Sequence, residues 1–404
     1  MRIGMILDST FPPDPRVENE ATALVKAGHE VFLFCLDYSG ELPREENYRG
    51  IQVRRYKTFK WMYSLSSLAY SASLYHQLLK PLIRDFLREN RIDIVHIHDI
   101  QVARAVFTIS RKLGVKTVLD LHENRPEIMK HYDHVRTFPG KLLIFPSCWR
   151  KFEYKYIGEA DHVIVVTPEA KQFYIEETGE PEAKFHVVPN TVLPSFYKKY
   201  AKDTSIIDKY KESFGILYIG DTGLRRGLET AIRGMKYILP DQPDARLIIV
   251  GRSKADNILM DLAEKEGVVD SVYFEGWQDM EKFPSFIVAS KIGICPIHRN
   301  LHHNTTYANK LFQYLAFGLP IVVSNCDAQE HLARDYKIGE VFNDRDAQDF
   351  ANKVLMLAKD EARYRRYSNN AVQAIEQELN WDVFCKELIN IYDVEKDRSE
   401  QQLS

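Results

Sequence analysis

Asn304-Thr-Thr-Tyr-Ala-Asn-Lys-Leu-Phe-Gln-Tyr-Leu-Ala-Phe-Gly-Leu-Pro-Ile-Val-Val-Ser324 is the most informative stretch of the 404-residue chain. Its polar opening predicts a loop, followed by a helix that ends at Gly318. Glycine suits the left-handed position after a helix C-terminus, and Pro320 cannot continue the helix. The β-branched run behind it predicts a strand. Asn309, Lys310 and Gln313 fall in the first turns, and Gln313 shares a face with the other two by the i+3/i+4 rule. An anion at this helix start would meet Lys310 and backbone N–H groups. A merely solvated helix start explains the polarity, but not the crowding of such groups beside the carboxyl edge of a sheet.

Outward from this helix–strand unit, short apolar runs alternate with helical patterns along nearly the whole chain. The first half offers strands at Ile3–Leu7, Val31–Leu36, Ile94–Ile97, Lys116–Leu121, His162–Val166 and Phe185–Val188. Helical periodicity marks segments such as Val17–Ala27 and Leu68–Leu87. The second half offers strands at Gly215–Ile219, Arg246–Val250, Ser271–Phe274, Lys291–Cys295 and Pro320–Val323. Continuous rather than alternating apolar runs suit strands covered on both faces of a parallel sheet. The expected fold is therefore α/β, with two Rossmann-like doubly wound domains facing across a cleft. The polar, Lys- and Tyr-rich segment Thr191–Ser213 separates the two series, with the linker near Val192–Ser205. The expected domains are residues 1–195, residues 196–379, and a C-terminal helix in 380–404 packing back toward the first domain.

Composition narrows the function classes. Lys+Arg number 54 and Asp+Glu 57, a net charge of −3 with neutral His. The halves are nearly even, 26 basic against 25 acidic residues through Asn190 and 28 against 32 beyond it. No global positive field would draw nucleic acid, so no nucleic-acid partner is expected. Five scattered cysteines without a C-x-x-C pattern suit reduced thiols in a cytoplasmic protein. The N-terminal apolar run is too short for a secretion signal, and no uncharged apolar stretch reaches the ~18 residues of a membrane span.

Several motifs carry chemistry. Gly220-Asp-Thr-Gly-Leu-Arg-Arg-Gly227 joins a predicted strand to a helix. Its glycines would let the backbone approach a phosphate, and Arg225 or Arg226 would add a bidentate contact. It is neither a Walker loop nor G-x-G-x-x-G, and a bland strand-to-helix turn explains it equally well. His96 and His98 form a His-x-His pair, but no third and fourth ligand sits at a suggestive spacing, so no metal is expected. Asp344-Arg-Asp346 imitates a D-x-D metal motif but precedes a helical pattern, where capping explains the carboxylates. Asp14 is placed to cap a helix with Pro15 at its first position. Arg16 would then point toward the cleft edge, where it would meet an acceptor phosphate; a purely structural role explains the motif equally well.

The chain resembles the retaining GT-B glycosyltransferases that use nucleotide-sugar donors. The matching features are Asp14-Pro-Arg-Val17 with Lys26-Ala-Gly-His-Glu-Val31, Asp93-Ile-Val-His-Ile-His98, Leu119-Asp-Leu-His-Glu123, Ala160-Asp-His-Val-Ile-Val-Val-Thr167 and Val187-Val-Pro-Asn190. In the second half they are Tyr218-Ile-Gly220, Arg226-Gly227, Leu247-Ile-Ile-Val-Gly251, Phe274-Glu-Gly276 and the helix from Lys310 to Pro320. Each is common alone; their order and spacing together carry the resemblance.

The resemblance implies a metal-independent, hexosyltransferase-type enzyme of cell-surface polysaccharide assembly, with a UDP- or GDP-linked sugar as substrate and no cofactor. It implies that Arg226 and Lys310 hold the donor diphosphate and that His122 faces the donor sugar. Gly220, Arg225, Gly251, Gly276, Thr305, Asn309 and Gln313 would complete the donor site. Arg16 and Glu123 would meet a glycan or lipid-linked acceptor. The sequence departs from the family where Asp221 replaces the usual arginine and where Thr305 and Gln313 replace two glutamates. Two alternatives accommodate those departures: a nucleotide-sugar epimerase or hydrolase on the same fold, and a non-catalytic partner subunit. Lys130–Tyr156 interleaves six Lys/Arg and two Asp/Glu with aromatic residues including Trp149. That mixture suits peripheral contact with the inner face of a membrane, a packed helix being the bland alternative; Trp61–Leu87 is a weaker candidate.

Overall fold

A computed structural model describes residues 1–403. The chain divides into two compact units. One holds Met1–Pro189 and the segment from Cys385 onward; the other is Asn190–Phe384.

The first unit is built on an eight-stranded sheet. Its strands are β1 (Arg2–Ile6), β2 (Glu30–Asp37), β3 (Glu45–Tyr48), β4 (Ile51–Lys57), β5 (Ile94–His98), β6 (Lys116–Leu121), β7 (His162–Val165) and β8 (Phe185–Val187). Their order is β3-β4-β2-β1-β5-β6-β7-β8, parallel throughout except for the β3–β4 pair. That hairpin was not expected. Its longer strand reads Ile-Gln-Val-Arg-Arg-Tyr-Lys, and the inward position Arg55 is charged, which hides the alternation. The Arg55 guanidinium is buried because it donates to the Phe11 and Pro43 carbonyls and pairs with Glu46. The expected helix Leu68–Leu87 starts later, at Leu74, and runs to Glu89; a separate short helix, Lys60–Ser66, precedes it.

The second unit carries six parallel strands, β9 (Phe214–Ile219), β10 (Ala245–Val250), β11 (Val272–Gly276), β12 (Ile292–Cys295), β13 (Ile321–Ser324) and β14 (Gly339–Phe342), in the order β11-β10-β9-β12-β13-β14. Alternate residues feed opposite faces. Leu217, Ile219, Ile248 and Val250 join one core cluster, and Ile216, Tyr218, Leu247 and Ile249 join another. Both faces are covered, so the strands read as unbroken apolar runs. The unpredicted edge strand β14 has only one fully buried residue, Phe342.

The boundaries differ slightly from those expected. Residues 190–195 belong to the second unit, where the Thr191 hydroxyl donates to the Leu379 carbonyl and Val192 accepts from the Trp381 amide. The expected linker forms short helices at Pro194–Lys198 and Thr204–Tyr210. The helix Trp381–Leu403 starts in the second unit and joins the first from Cys385. There Leu388, Ile391 and Tyr392 are buried. The Tyr392 hydroxyl lies 2.6 Å from His96 Nδ1, and Glu395 pairs with Lys116 and His162.

Candidate active site

In each unit the residues of interest gather at the carboxyl ends of the strands, where ligands of open α/β sheets bind. The two gatherings differ in character.

In the first unit, the helix Pro15–Lys26 starts behind β1, capped by the Asp14 carboxylate on the Val17 amide at 3.1 Å. Arg16 and Glu20 lie one turn apart on it. Across from them, β6 carries Asp120 and β5 carries His96 and His98. Arg16 grips Asp120 with two bonds, Nη2–Oδ1 at 2.6 Å and Nε–Oδ2 at 3.1 Å, and donates from Nη1 to the Val188 carbonyl. Arg16 is 6 % exposed. The expectation that it meets an acceptor phosphate is therefore corrected: its donors are committed inside the unit.

Asp120 also holds His122, whose Nε2 lies 2.8 Å from Oδ2. Burial opposes charge on this imidazole, but Asp99 and Asp120 outweigh it and raise the pKa to about 9. Burial likewise works against the Asp120 carboxylate, yet Arg16 and His122 hold it well below the usual range. Glu20 behaves oppositely. Burial pushes its carboxyl up to about 8, so Asp120 rather than Glu20 balances Arg16. Nδ1 of His122 stands 3.5 Å from Asp99 and forms no hydrogen bond among the described residues. His122 is thus a partly exposed imidazolium, bonded to Asp120 through Nε2 and within ion-pair range of Asp99 through Nδ1.

Asp99 adopts φ +63, a conformation that costs an ordinary residue about 1–3 kcal/mol. Its carboxylate accepts from the His122 amide at 3.2 Å. Glu123 is held by Arg125 at 2.6 Å.

Glu20, His96, His98 and Asp120 place ligand atoms within 4.8 Å of one another, a grouping the sequence spacing concealed. Arg16 already sits against both of its carboxylates, and His96 and His98 are held to their neutral forms chiefly by burial. This donor set is organised around a guanidinium.

In the second unit, the glycines expected at the donor site mark three adjacent strand ends. Gly251 donates to Gly276 O, and Gly220 donates to Val250 O, each at 2.8 Å. Gly251 has φ +148, and a Cβ there would fall 1.9 Å from Gly220 O. At Gly227, φ +71, it would fall 1.9 Å from Pro296 O. Glycine is obligatory at both positions.

The loop they shape brings cations together. Lys310, on the helix Asn309–Leu315, lays its Nζ 3.5 Å from the centre of the Tyr218 ring. A Cβ on Gly220 would sit 3.3 Å from that Nζ. Lys310 makes no ion pair or hydrogen bond among the described residues, and burial lowers its pKa to about 7. Arg226 and Arg225 lie beside Asp221, at 3.4 and 3.7 Å from its Oδ2. Asn309 is exposed and Gln313 half-buried, and neither side chain has a protein partner among the described residues.

Thr305 does not join them. It is 5 % exposed, and its hydroxyl donates to the Leu301 carbonyl at 2.9 Å, so its expected place at the donor is corrected. Asp346 caps the helix Ala347–Lys359, and Asp344 pairs with His298 and the Arg299 amide. Two contributors were not singled out from sequence: Asp120, which holds both Arg16 and His122, and Tyr218, which receives Lys310. Asp120 lies in β6 two residues before His122, which follows the end of that strand, and the spacing sets both toward the same side.

The basic-aromatic segment splits in two. Trp149 is 1 % exposed and packs edge-on against Tyr70, so its expected role in apolar insertion is corrected. Arg150 is likewise engaged by Asn124, Glu127 and Glu153. Ahead of them, Phe138 is 81 % and Leu142 63 % exposed, with Leu143, Phe145, Arg136, Lys141 and Lys151 also exposed. No helix among the described residues is long and apolar enough to cross a membrane.

Residues 16–196 match the sequence model of Glycosyltransferase Family 4, and residues 199–374 that of Glycosyl transferases group 1. The chain is 22% identical over 419 residues to a glycogen synthase of Mycobacterium tuberculosis, across 100% of this chain and 96% of that protein. It is 20% identical over 406 residues to a phosphatidyl-myo-inositol mannosyltransferase of Mycobacterium leprae, across 97% and 96%. Among solved structures, Anabaena HepE in complex with UDP aligns with a TM-score of 0.73 at 14% identity, covering 98% of this chain and 100% of that one.

Proposed function

The chain belongs to the group 1 glycosyltransferases, enzymes of GT-B fold, and from that premise we propose that it transfers a sugar, with retention, from a nucleotide-sugar donor to a glycan or lipid-linked acceptor in cell-surface polysaccharide assembly. The observation that carries the donor assignment is Lys310 beside Gly220, without an ion pair among the described residues, with Arg225 and Arg226 on the same loop. Cations set against a glycine-lined backbone suit a diphosphate. UDP is the first nucleotide to try, because HepE binds it in its crystals; GDP is the second.

In this reading the donor diphosphate lies on the second unit, and Lys310, Arg225 and Arg226 stabilise it as it departs. Gln313 and Asn309 face the ribose and the phosphates. The acceptor lies on the first unit, with Glu123 beside it. His122 offers its Nδ1–H, beside Asp99, to a sugar oxygen; with a pKa of about 9 it serves as a cationic donor at neutral pH, not as a base. The donor phosphate takes the acceptor proton on the retained face, and no metal is required. The exposed apolar and basic residues around Phe138–Phe145 support peripheral attachment to an anionic membrane face, the surface on which a lipid-linked acceptor is found.

The test is nucleotide binding and sugar transfer by purified protein, with and without acceptor. Arg226→Ala should weaken diphosphate binding by ~1.5 kcal/mol or more, as for a lost charge-assisted contact. Release of free sugar without acceptor would favour a hydrolase, and unchanged affinity would remove Arg226 from the donor site.

A further inference from the structure

Asp221 interrupts an otherwise cationic loop. Its Oδ2 lies 3.4 Å from Arg226 Nε and 3.7 Å from Arg225 Nη2. Its Oδ1 accepts from the Gly223 amide at 3.3 Å. Its backbone carbonyl accepts from the Tyr218 hydroxyl at 2.6 Å, and the ring of that same tyrosine carries Lys310. The Asp221 backbone is thus held in place, and its side chain is 43% exposed.

From this juxtaposition we propose that Asp221 is a displaceable internal counter-ion: it engages Arg225 and Arg226 when no anion is bound, and a nucleoside diphosphate must push it aside to reach them. The proposal rests on the donor-site reading above. Displacement is inexpensive, because a half-exposed ion pair contributes little. Leaving the carboxylate in place would set like charges a few ångströms apart. Binding is therefore weaker than three cations alone would give. Departure is faster, because the carboxylate returns to the arginines as the phosphates leave. Lys310 makes no ion pair with a carboxylate among the described residues and rests on the Tyr218 ring.

The experiment is calorimetric titration of the full chain with UDP and GDP, and with uridine and guanosine as phosphate-free controls, for the parent, Asp221→Asn and Arg226→Ala. Asparagine keeps the size of the side chain and the acceptor for Gly223 but removes the charge. Asp221→Asn should bind the diphosphate roughly three- to fivefold more tightly, with slower dissociation in stopped flow and unchanged nucleoside affinity. If Arg226→Ala weakens diphosphate binding while Asp221→Asn leaves it unchanged or weaker, the counter-ion role is wrong and the donor site stands. Equal tightening toward the nucleosides would also overturn the counter-ion role. If Arg226→Ala has no effect, or the parent binds neither diphosphate, the donor-site reading itself fails and the proposal with it.

Discussion

The two sheets present charge at their carboxyl ends in opposite ways. In the first unit Arg16 is bonded to Asp120 inside a buried cluster with Glu20, His96 and His98, and almost none of it reaches solvent. In the second unit Lys310 rests on an aromatic ring without an acidic partner, and two arginines share one half-exposed carboxylate. A buried arginine–carboxylate pair whose donors are used inside the unit specifies structure; a lysine set beside glycine backbone suits the anionic ligand proposed above. Similar residues in similar places on similar sheets therefore carry different roles, and the partner inventory decides which.

The sharpest way to break this comparison is to open the buried cluster. Asp120→Ala strands the Arg16 guanidinium and the His122 imidazolium inside the first unit. Removing one partner of a buried pair costs about 3–5 kcal/mol. Hydrogen exchange should accelerate across β1, β5 and β6, while nucleoside diphosphate affinity, which the proposed donor site assigns to the second unit, stays within twofold. Native-like protection of those strands would show that the network is dispensable.

A smaller effect comes from the open site. Lys310 is protonated below about pH 7 and neutral above it, with Cys295, Asp221, Arg225 and Arg226 as its charged or titratable neighbours. A bound diphosphate favours the protonated form, so binding takes up a proton. Affinity should rise on the order of tenfold from pH 8.5 to 6.5, and Lys310→Met should bind weakly with a flat profile. A flat profile in the parent would take Lys310 out of the site. The same titration affects folding: the unfolded lysine holds its proton to higher pH, so this group's contribution improves as pH rises from about 7 toward the ordinary lysine value of 10.5.

The smallest effect sets exposed against packed residues within one segment. Phe138→Ser with Leu142→Ser and Lys141→Gln should reduce co-sedimentation with anionic vesicles at low salt. Each basic residue near such a surface contributes about 1 kcal/mol, so the loss should be severalfold. Arg150→Gln should instead lower stability, because Arg150 ties Asn124 to Glu127 and Glu153. If the parent ignores anionic vesicles, membrane attachment through this segment is excluded.

What was legible in the sequence follows from how each element is buried. Strands covered on both faces must be apolar at every position, so β9, β10 and β13 announce themselves. The β3–β4 hairpin and β14 lie at sheet edges, where Arg55 and Glu340 find polar partners and the apolar pattern dissolves. The cation cluster of the second unit was readable because its glycines and charges occupy two short motifs. The network of the first unit was not, because Arg16 meets Asp120 across 104 positions. Thr305 and Trp149 were misread for a related reason: a hydroxyl satisfied by its own helix and an indole turned inward look, in one dimension, the same as exposed ones.

The helix that begins at Trp381 has a consequence for how the molecule is made. The first unit is finished only when Leu388, Ile391 and Tyr392 reach it. A ribosome delivers all of Asn190–Phe384 before those residues appear. During that interval the nascent first unit exposes the apolar floor this helix will cover, with the His96 imidazole waiting for its tyrosine. Most domains fold in the order they are synthesised. Here the earlier half of the chain must stay incomplete until the later half has emerged, so birth order and completion order are reversed.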